Sequence, residues 1–94
     1  MNLNTIGKKQ ETWVKSVGWG KERVLESLAM IASEVGEAVN ECRGEKPTNK
    51  FGTELADIIL RVACLAHRNG IDLDLAIHNK MRLNSHRGTR GRKV

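Results

Sequence analysis

The chain has 94 residues, a formal net charge of +5, 39% hydrophobic and 3% aromatic residues. A length this small makes one domain with a thin core, burying roughly 60–65% of its unfolded surface, so a deep pocket made by one chain alone is not expected and oligomerisation is. No apolar run approaches the ~20 residues of a membrane span and no secretory leader is visible, so no membrane partner and a cytoplasmic location are expected. Cys42 and Cys64 are isolated, without the C-x-x-C spacing of a zinc site or a disulfide framework; small buried thiols are expected. The basicity belongs to the C-terminal end: from Lys80 onward there are six Lys or Arg and no acid, while residues 1–79 carry ten basic and eleven acidic side chains. Such an end suits an anionic partner or a solvated tail.

Taken in chain order, residues 4–17 form a candidate helix with Ile6, Trp13, Val14 and Val17, closed by Gly18 and Gly20 around Trp19. A second helix is predicted over 21–43, because Val24, Leu28, Ile31, Val35, Val39 and Cys42 recur at three- and four-residue steps and Gly44 follows as a stop. Pro47 sits in the short loop after it. A third helix is predicted over 50–68, with Phe51, Leu55, Ile58, Val62 and Leu65 as its stripe and Asn69-Gly70 as its end. Asp72 is a good N-cap for a fourth, over 73–86. No strand-like alternation occurs. The expectation is an all-α domain spanning 1–94, with an N-terminal helix and turn (1–20), the site-bearing helices (21–87) and a basic tail (88–94), and with a core mostly of Leu, Ile, Val and Ala.

Two acidic pairs flank these stripes. Glu34 and Glu37 lie three apart on the second helix, with Glu41 continuing the row, and Glu54 and Asp57 lie three apart on the third. Residues at that spacing are surface neighbours, and a short loop makes the two helices antiparallel neighbours, so the pairs converge at the edge of the core. Convergence of four carboxylates is unfavourable unless protons or a cation intervene, and Mg²⁺ takes oxygen ligands of this kind while bridging to phosphates. The competing reading is two solvated helix faces; spacing alone leaves both open.

On the fourth helix Leu73, Ala76, Ile77, Lys80, Asn84 and Arg87 form one stripe, apolar first and polar after. Lys80, Asn84 and Arg87 thus extend the direction taken by the core-facing residues, which suits an anionic ligand; alternatively the helix leaves the core there and the side chains snorkel. Trp13 and Trp19 suit core or subunit packing, with base stacking as the other option.

The run Ser33-Glu34-Val35-Gly36-Glu37, then Glu54-Leu55-Ala56-Asp57-Ile58-Ile59, and then Gly70-Ile71-Asp72-Leu73 with Ala76, Ile77, Lys80, Asn84 and Arg87, resembles the E-x-x-E … E-x-x-D signature and following row of the MazG-like nucleotide pyrophosphohydrolases over about residues 24–88. The resemblance implies a four-helix fold assembled as a dimer or dimer of dimers. It implies Mg²⁺-dependent cleavage (Mn²⁺ as substitute) of a (deoxy)nucleoside triphosphate to the monophosphate and pyrophosphate, often as house-cleaning of non-standard nucleotides. Glu34, Glu37, Glu54 and Asp57 would be metal ligands, Glu34 or Glu37 would also orient or deprotonate the attacking water, and Lys80, Asn84 and Arg87 would hold phosphates or ribose, including across a subunit interface. Two departures stand out: Ser33 occupies a position that is Glu in many members, and Gly88 one that is Pro in many. A small basic helical nucleic-acid-binding protein is the alternative class, disfavoured by acidic rows that repel a phosphate backbone; a catalytically weak nucleotide-binding relative is the other.

Overall fold

The computed structural model describes residues 2–87; the basic tail 88–94, with Gly88, lies outside the described residues. Four α-helices follow in order: α1 Leu3–Ser16, α2 Val24–Asn40, α3 Phe51–Arg68 and α4 Leu73–Arg87. Among the described residues there is no strand and no helix long and apolar enough to cross a membrane.

Local chemistry sets each boundary. Asn2 caps α1, its Oδ1 accepting from the Thr5 N–H at 2.8 Å. Gly18 (φ 82°) and Gly20 (φ 92°) turn the chain after it in the left-handed region that glycine adopts without strain. The second helix is shorter at both ends than its 21–43 periodicity predicts. It starts at Val24, where Glu26 reaches back to accept the Arg23 N–H at 2.9 Å. It stops at Asn40 because the Thr48 N–H donates to the Glu41 carbonyl at 2.9 Å and the Thr48 hydroxyl donates to the Glu41 carboxylate. That closure turns the chain back before Gly44 is reached, and it leaves Cys42 exposed rather than buried. Cys64 is buried as expected. Asp72 caps α4 as predicted, accepting from the Leu75 N–H at 3.0 Å.

The N-termini of α1 and α4 clasp each other. Asp74 accepts from the Leu3 and Asn4 N–H groups at 3.0 and 3.1 Å, and Asn4 Oδ1 accepts from the Leu73 N–H at 2.9 Å while its Nδ2 donates to Asp72 at 2.7 Å. Each helix thereby satisfies orphan donors of the other, with acids at the positive ends of both. The Asn4 bond, with the Leu75 N–H, holds the Asp72 carboxyl below its ordinary range.

The core is made of small side chains. Ala63, Cys64 and Ala66 of α3 and Ala38 of α2 are the buried apolar residues among those described. They are small because α1 lies very close to α3: a Cβ at Gly7 would collide with the Ala63 carbonyl. Helices α2 and α3 run antiparallel, as successive contacts show: Glu41 with Thr48, Glu34 with Arg61, Ser27 with Arg68. The large aliphatic residues expected in the core are largely not enclosed within one chain. Val24, Leu28, Val35 and Val39 of the α2 stripe are each about half exposed, because α2 packs against α3 and against neither α1 nor α4. The fourth helix touches α1 and α3 only and buries none of its residues. Of its stripe, Leu73 and Asn84 are half-buried while Ala76, Ile77, Lys80 and Arg87 are exposed, so the stripe faces α1 and α3 without entering a deep core, contrary to the expectation from periodicity. The radius of gyration, 15.5 Å, exceeds the roughly 12 Å of a compact chain of this length.

The α1–α3 contact yields a stability prediction. Gly7→Ala, which elsewhere in a helix would be favourable, should destabilise by about 1–3 kcal/mol here through overpacking against backbone, seen as a lowered thermal midpoint; a raised midpoint would contradict the contact.

Candidate metal centre and adjoining cleft

The antiparallel register brings the two acidic pairs together. Glu34, Glu54 and Asp57 each offer an oxygen lying within 4.8 Å of the others, and all three are half-buried. Glu37 is exposed at the edge of this group, outside the three-residue set but close enough to act on Glu54. Desolvation raises the Glu54 carboxyl above its ordinary range, followed by the charge of Glu37, a hydrogen bond with it, and the charges of Asp57 and Glu34. The Oε2 atoms of Glu34 and Glu54 are buried with no hydrogen-bond partner. Buried orphan carboxylate oxygens are costly, and two of them in one acidic group are what a hard divalent cation satisfies. The donor set, carboxylate oxygen throughout, fits Mg²⁺ or Mn²⁺. The other Glu34 oxygen, Oε1, accepts from Arg61 Nε at 3.0 Å.

Two of the carboxylates, Glu34 and Asp57, line a cleft of about 530 Å³ together with Arg61, Trp13 and Trp19. The two indoles meet edge to face with centroids 5.6 Å apart, an arrangement favoured by the ring quadrupoles. They are 51% and 60% exposed, so neither is a core residue of this chain.

At the other end of the cleft α1, α2 and α3 are tied by a group that sequence reading missed. Glu11 is buried, with its Oε2 accepting from Arg68 Nε at 3.0 Å and from the Cys64 thiol at 3.2 Å. Arg68 also donates through Nη1 to Glu22 and Ser27, each at 3.4 Å. Burial works against the Arg68 charge, but the hydrogen bond and charge of Glu11 outweigh it and strengthen the guanidinium's hold on its proton. Burial, and then the Glu11 carboxylate, push the Cys64 thiol up to about 11, so it stays protonated and donates. The available signal was the Gly7–Glu11 spacing, one helical turn, which puts Glu11 on the face that Gly7 presses against α3; a charged residue on α1 otherwise reads as solvated.

The α4 candidates are placed differently. Lys80 and Arg87 are exposed and Asn84 is half-buried. The helix α4 packs on α1 and on α3, which carries Glu54 and Asp57, and not on α2, which carries Glu34 and Glu37.

These features define an all-helical domain with a carboxylate cluster, suited to a divalent cation, on one antiparallel helix pair. Residues 23–88 match the sequence model of the MazG nucleotide pyrophosphohydrolase domain, and the chain belongs to that family. No curated protein and no solved structure matches it.

Two outcomes are expected from this geometry. Because folding raises the Glu54 pKa, the folded state binds more protons than the unfolded one between the ordinary and the raised value. Stability of the metal-free protein therefore falls as pH rises through that window, and the penalty is fully present above it. Glu54→Gln should raise the thermal midpoint in EDTA at neutral pH and remove most of the stabilisation that Mg²⁺ confers; an unchanged Mg²⁺ response would exclude Glu54 from the site. Arg68→Ala should cost up to about 3 kcal/mol by leaving the buried Glu11 with only the Cys64 thiol and the Lys15 ammonium 3.9 Å away, measured by denaturant unfolding, and Arg68→Ala combined with Glu11→Leu should recover part of it.

Proposed function

We propose that the chain is a Mg²⁺-dependent nucleoside triphosphate pyrophosphohydrolase that cleaves a (d)NTP to the (d)NMP and pyrophosphate. The observation that carries this reading is the pair of buried, unpartnered oxygens of Glu34 and Glu54 beside Asp57. Glu34 and Asp57 of this group line a cleft together with the two half-exposed tryptophans, and the acidic group lies within the segment that matches the family.

Glu34, Glu54 and Asp57, with Glu37 at the edge, would hold Mg²⁺, which supplies charge neutralisation and Lewis acidity toward the phosphates. Glu37 is the exposed carboxylate of the group and is the one best able to reach a water; Glu34 is the other candidate. Its role is to orient that water and accept its proton while the water oxygen bonds to a phosphorus of the α–β anhydride and the bridging oxygen departs. The indole faces of Trp13 and Trp19 suit stacking with a base. Core or subunit packing was the other sequence expectation for them; their exposure removes the core reading and leaves base stacking and subunit packing.

The protein further acts as a homodimer or homotetramer. Half-exposed Val24, Leu28, Val35 and Val39 share one face of α2 that has no partner in the chain, and Leu75, Met81 and Leu83 are exposed on α4. A second copy would cover them and bring Lys80, Asn84 and Arg87 to the phosphates. The weak-relative reading draws on Ser33, which leaves the first motif one carboxylate short. Nucleic-acid binding is opposed by the acidic cluster. A cytoplasmic location and a house-cleaning role complete the proposal.

The test is a panel of standard and modified triphosphates with Mg²⁺, scored for pyrophosphate and monophosphate. Activity should vanish in EDTA and return with Mg²⁺ or Mn²⁺. Glu37→Gln should lower kcat by about 10²-fold or more; unchanged hydrolysis in that variant would refute the assignment. Nucleotide-induced stabilisation without pyrophosphate release would identify the weak relative.

A further inference from the structure

Arg61 stands one helical turn after Asp57 on α3 and so shares its face. Its Nε donates to Glu34 Oε1 at 3.0 Å, with the side chain 40% exposed and that of Glu34 15%. Glu34 thus divides its two oxygens: Oε1 takes Arg61, while the buried Oε2 has no partner and lies among the carboxylates. Bonding through Nε leaves both terminal guanidinium nitrogens with no hydrogen bond among the described residues, and Arg61 lines the cleft. Arg68 lines the same cleft, but its Nε, Nη1 and Nη2 are all engaged, with Glu11, Glu22, Ser27 and Cys64. Of these two arginines, Arg61 keeps both terminal nitrogens uncommitted and Arg68 keeps neither.

The charge balance demands such donors. Glu34, Glu37, Glu54 and Asp57 carry four potential negative charges, against which this end of the cleft sets Arg61. A single divalent cation leaves the group still negative, and a phosphate chain entering it meets repulsion unless a fixed cation faces it. Guanidinium presents donors in a planar fork that matches phosphate oxygens. Fixing Nε on a carboxylate pre-orients that fork and lowers the entropy lost on binding.

We propose that Arg61 is a phosphate-binding residue of the cleft, contributed by the same chain as the carboxylates: Nε braces Glu34, and the terminal nitrogens take an anionic oxygen of a polyphosphate held beside the cation. This rests on the cleft's being a polyphosphate site, and it adds to the α4 row a contact that needs no second subunit.

The probe is inorganic tripolyphosphate with Mn²⁺, titrated calorimetrically against the full chain, with Mn²⁺ affinity alone measured by electron paramagnetic resonance. Arg61→Gln should weaken tripolyphosphate binding by about tenfold or more, the loss of a hydrogen bond to a charged group, while Mn²⁺ affinity alone changes by less than about threefold, as for a partly exposed charge. A smaller loss overturns the proposal. So does a loss matched by lost Mn²⁺ affinity, which would make Arg61 a brace for Glu34 only, or an absence of tripolyphosphate binding in the unsubstituted chain. Arg61→Lys keeps the charge but cannot serve Glu34 and the anion together; it is judged by the same criterion if the Gln variant does not fold. Arg61-dependent tripolyphosphate binding without triphosphate hydrolysis would uphold this inference and refute the catalytic reading. Hydrolysis with an unchanged KM in Arg61→Gln would do the reverse.

Discussion

One guanidinium joins three parts of this small chain. Arg68, near the end of α3, meets Glu11 of α1, Glu22 before α2 and Ser27 on α2. A buried carboxylate without such a partner would be strongly unfavourable, so α1 is committed to the α3 face that carries Arg68. The same contact holds the start of α2 against the end of α3. With the Glu41–Thr48 closure fixing the opposite end, the antiparallel register between them follows, and Glu34 falls level with Asp57 and Arg61. The acidic cluster is thus a consequence of two restraints placed at either end of the helix pair.

Between those restraints the local chemistry runs against stability. Orphan oxygens on Glu34 and Glu54 and the raised Glu54 pKa describe a group under repulsion, relieved by Arg61 on one side only. Arrangements in which charge conflict persists while the surroundings are well satisfied are characteristic of functional sites. In this chain the better-satisfied surroundings are explicit: α1, α2 and α4 are capped at their N-termini, the Asn4–Asp72–Asp74 clasp closes the α1–α4 end, and the Arg68 network closes the other, with the Glu11 Oε1 atom its one buried oxygen without a hydrogen bond, 3.9 Å from the Lys15 ammonium.

The chain is also open. Close approach of α1 to α3 requires small residues in the seam, and Ala63, Cys64 and Ala66 supply them with Gly7. Little volume then remains for large aliphatic side chains within one subunit, and these lie along α2 and α4 instead. The same close seam leaves the apolar face of α2 and several large apolar side chains of α4 uncovered within the chain.

The sequence by itself determined the four helices, the Asp72 cap and the two acidic rows, because helical periodicity and capping are local properties of backbone and side chain. It also carried the family signature. It misjudged the ends of α2, since the Thr48–Glu41 closure depends on how a loop folds back, and it assigned the α2 and α4 stripes to a core that one chain does not build, since periodicity marks an apolar face without saying what covers it. Tertiary structure alone decided that Glu11 is buried on Arg68, that Trp13 and Trp19 open onto the cleft, and that Arg61 shares Glu34 with the site. Each of these joins residues at least six positions apart, most of them on different helices, through distances that no spacing along the chain encodes.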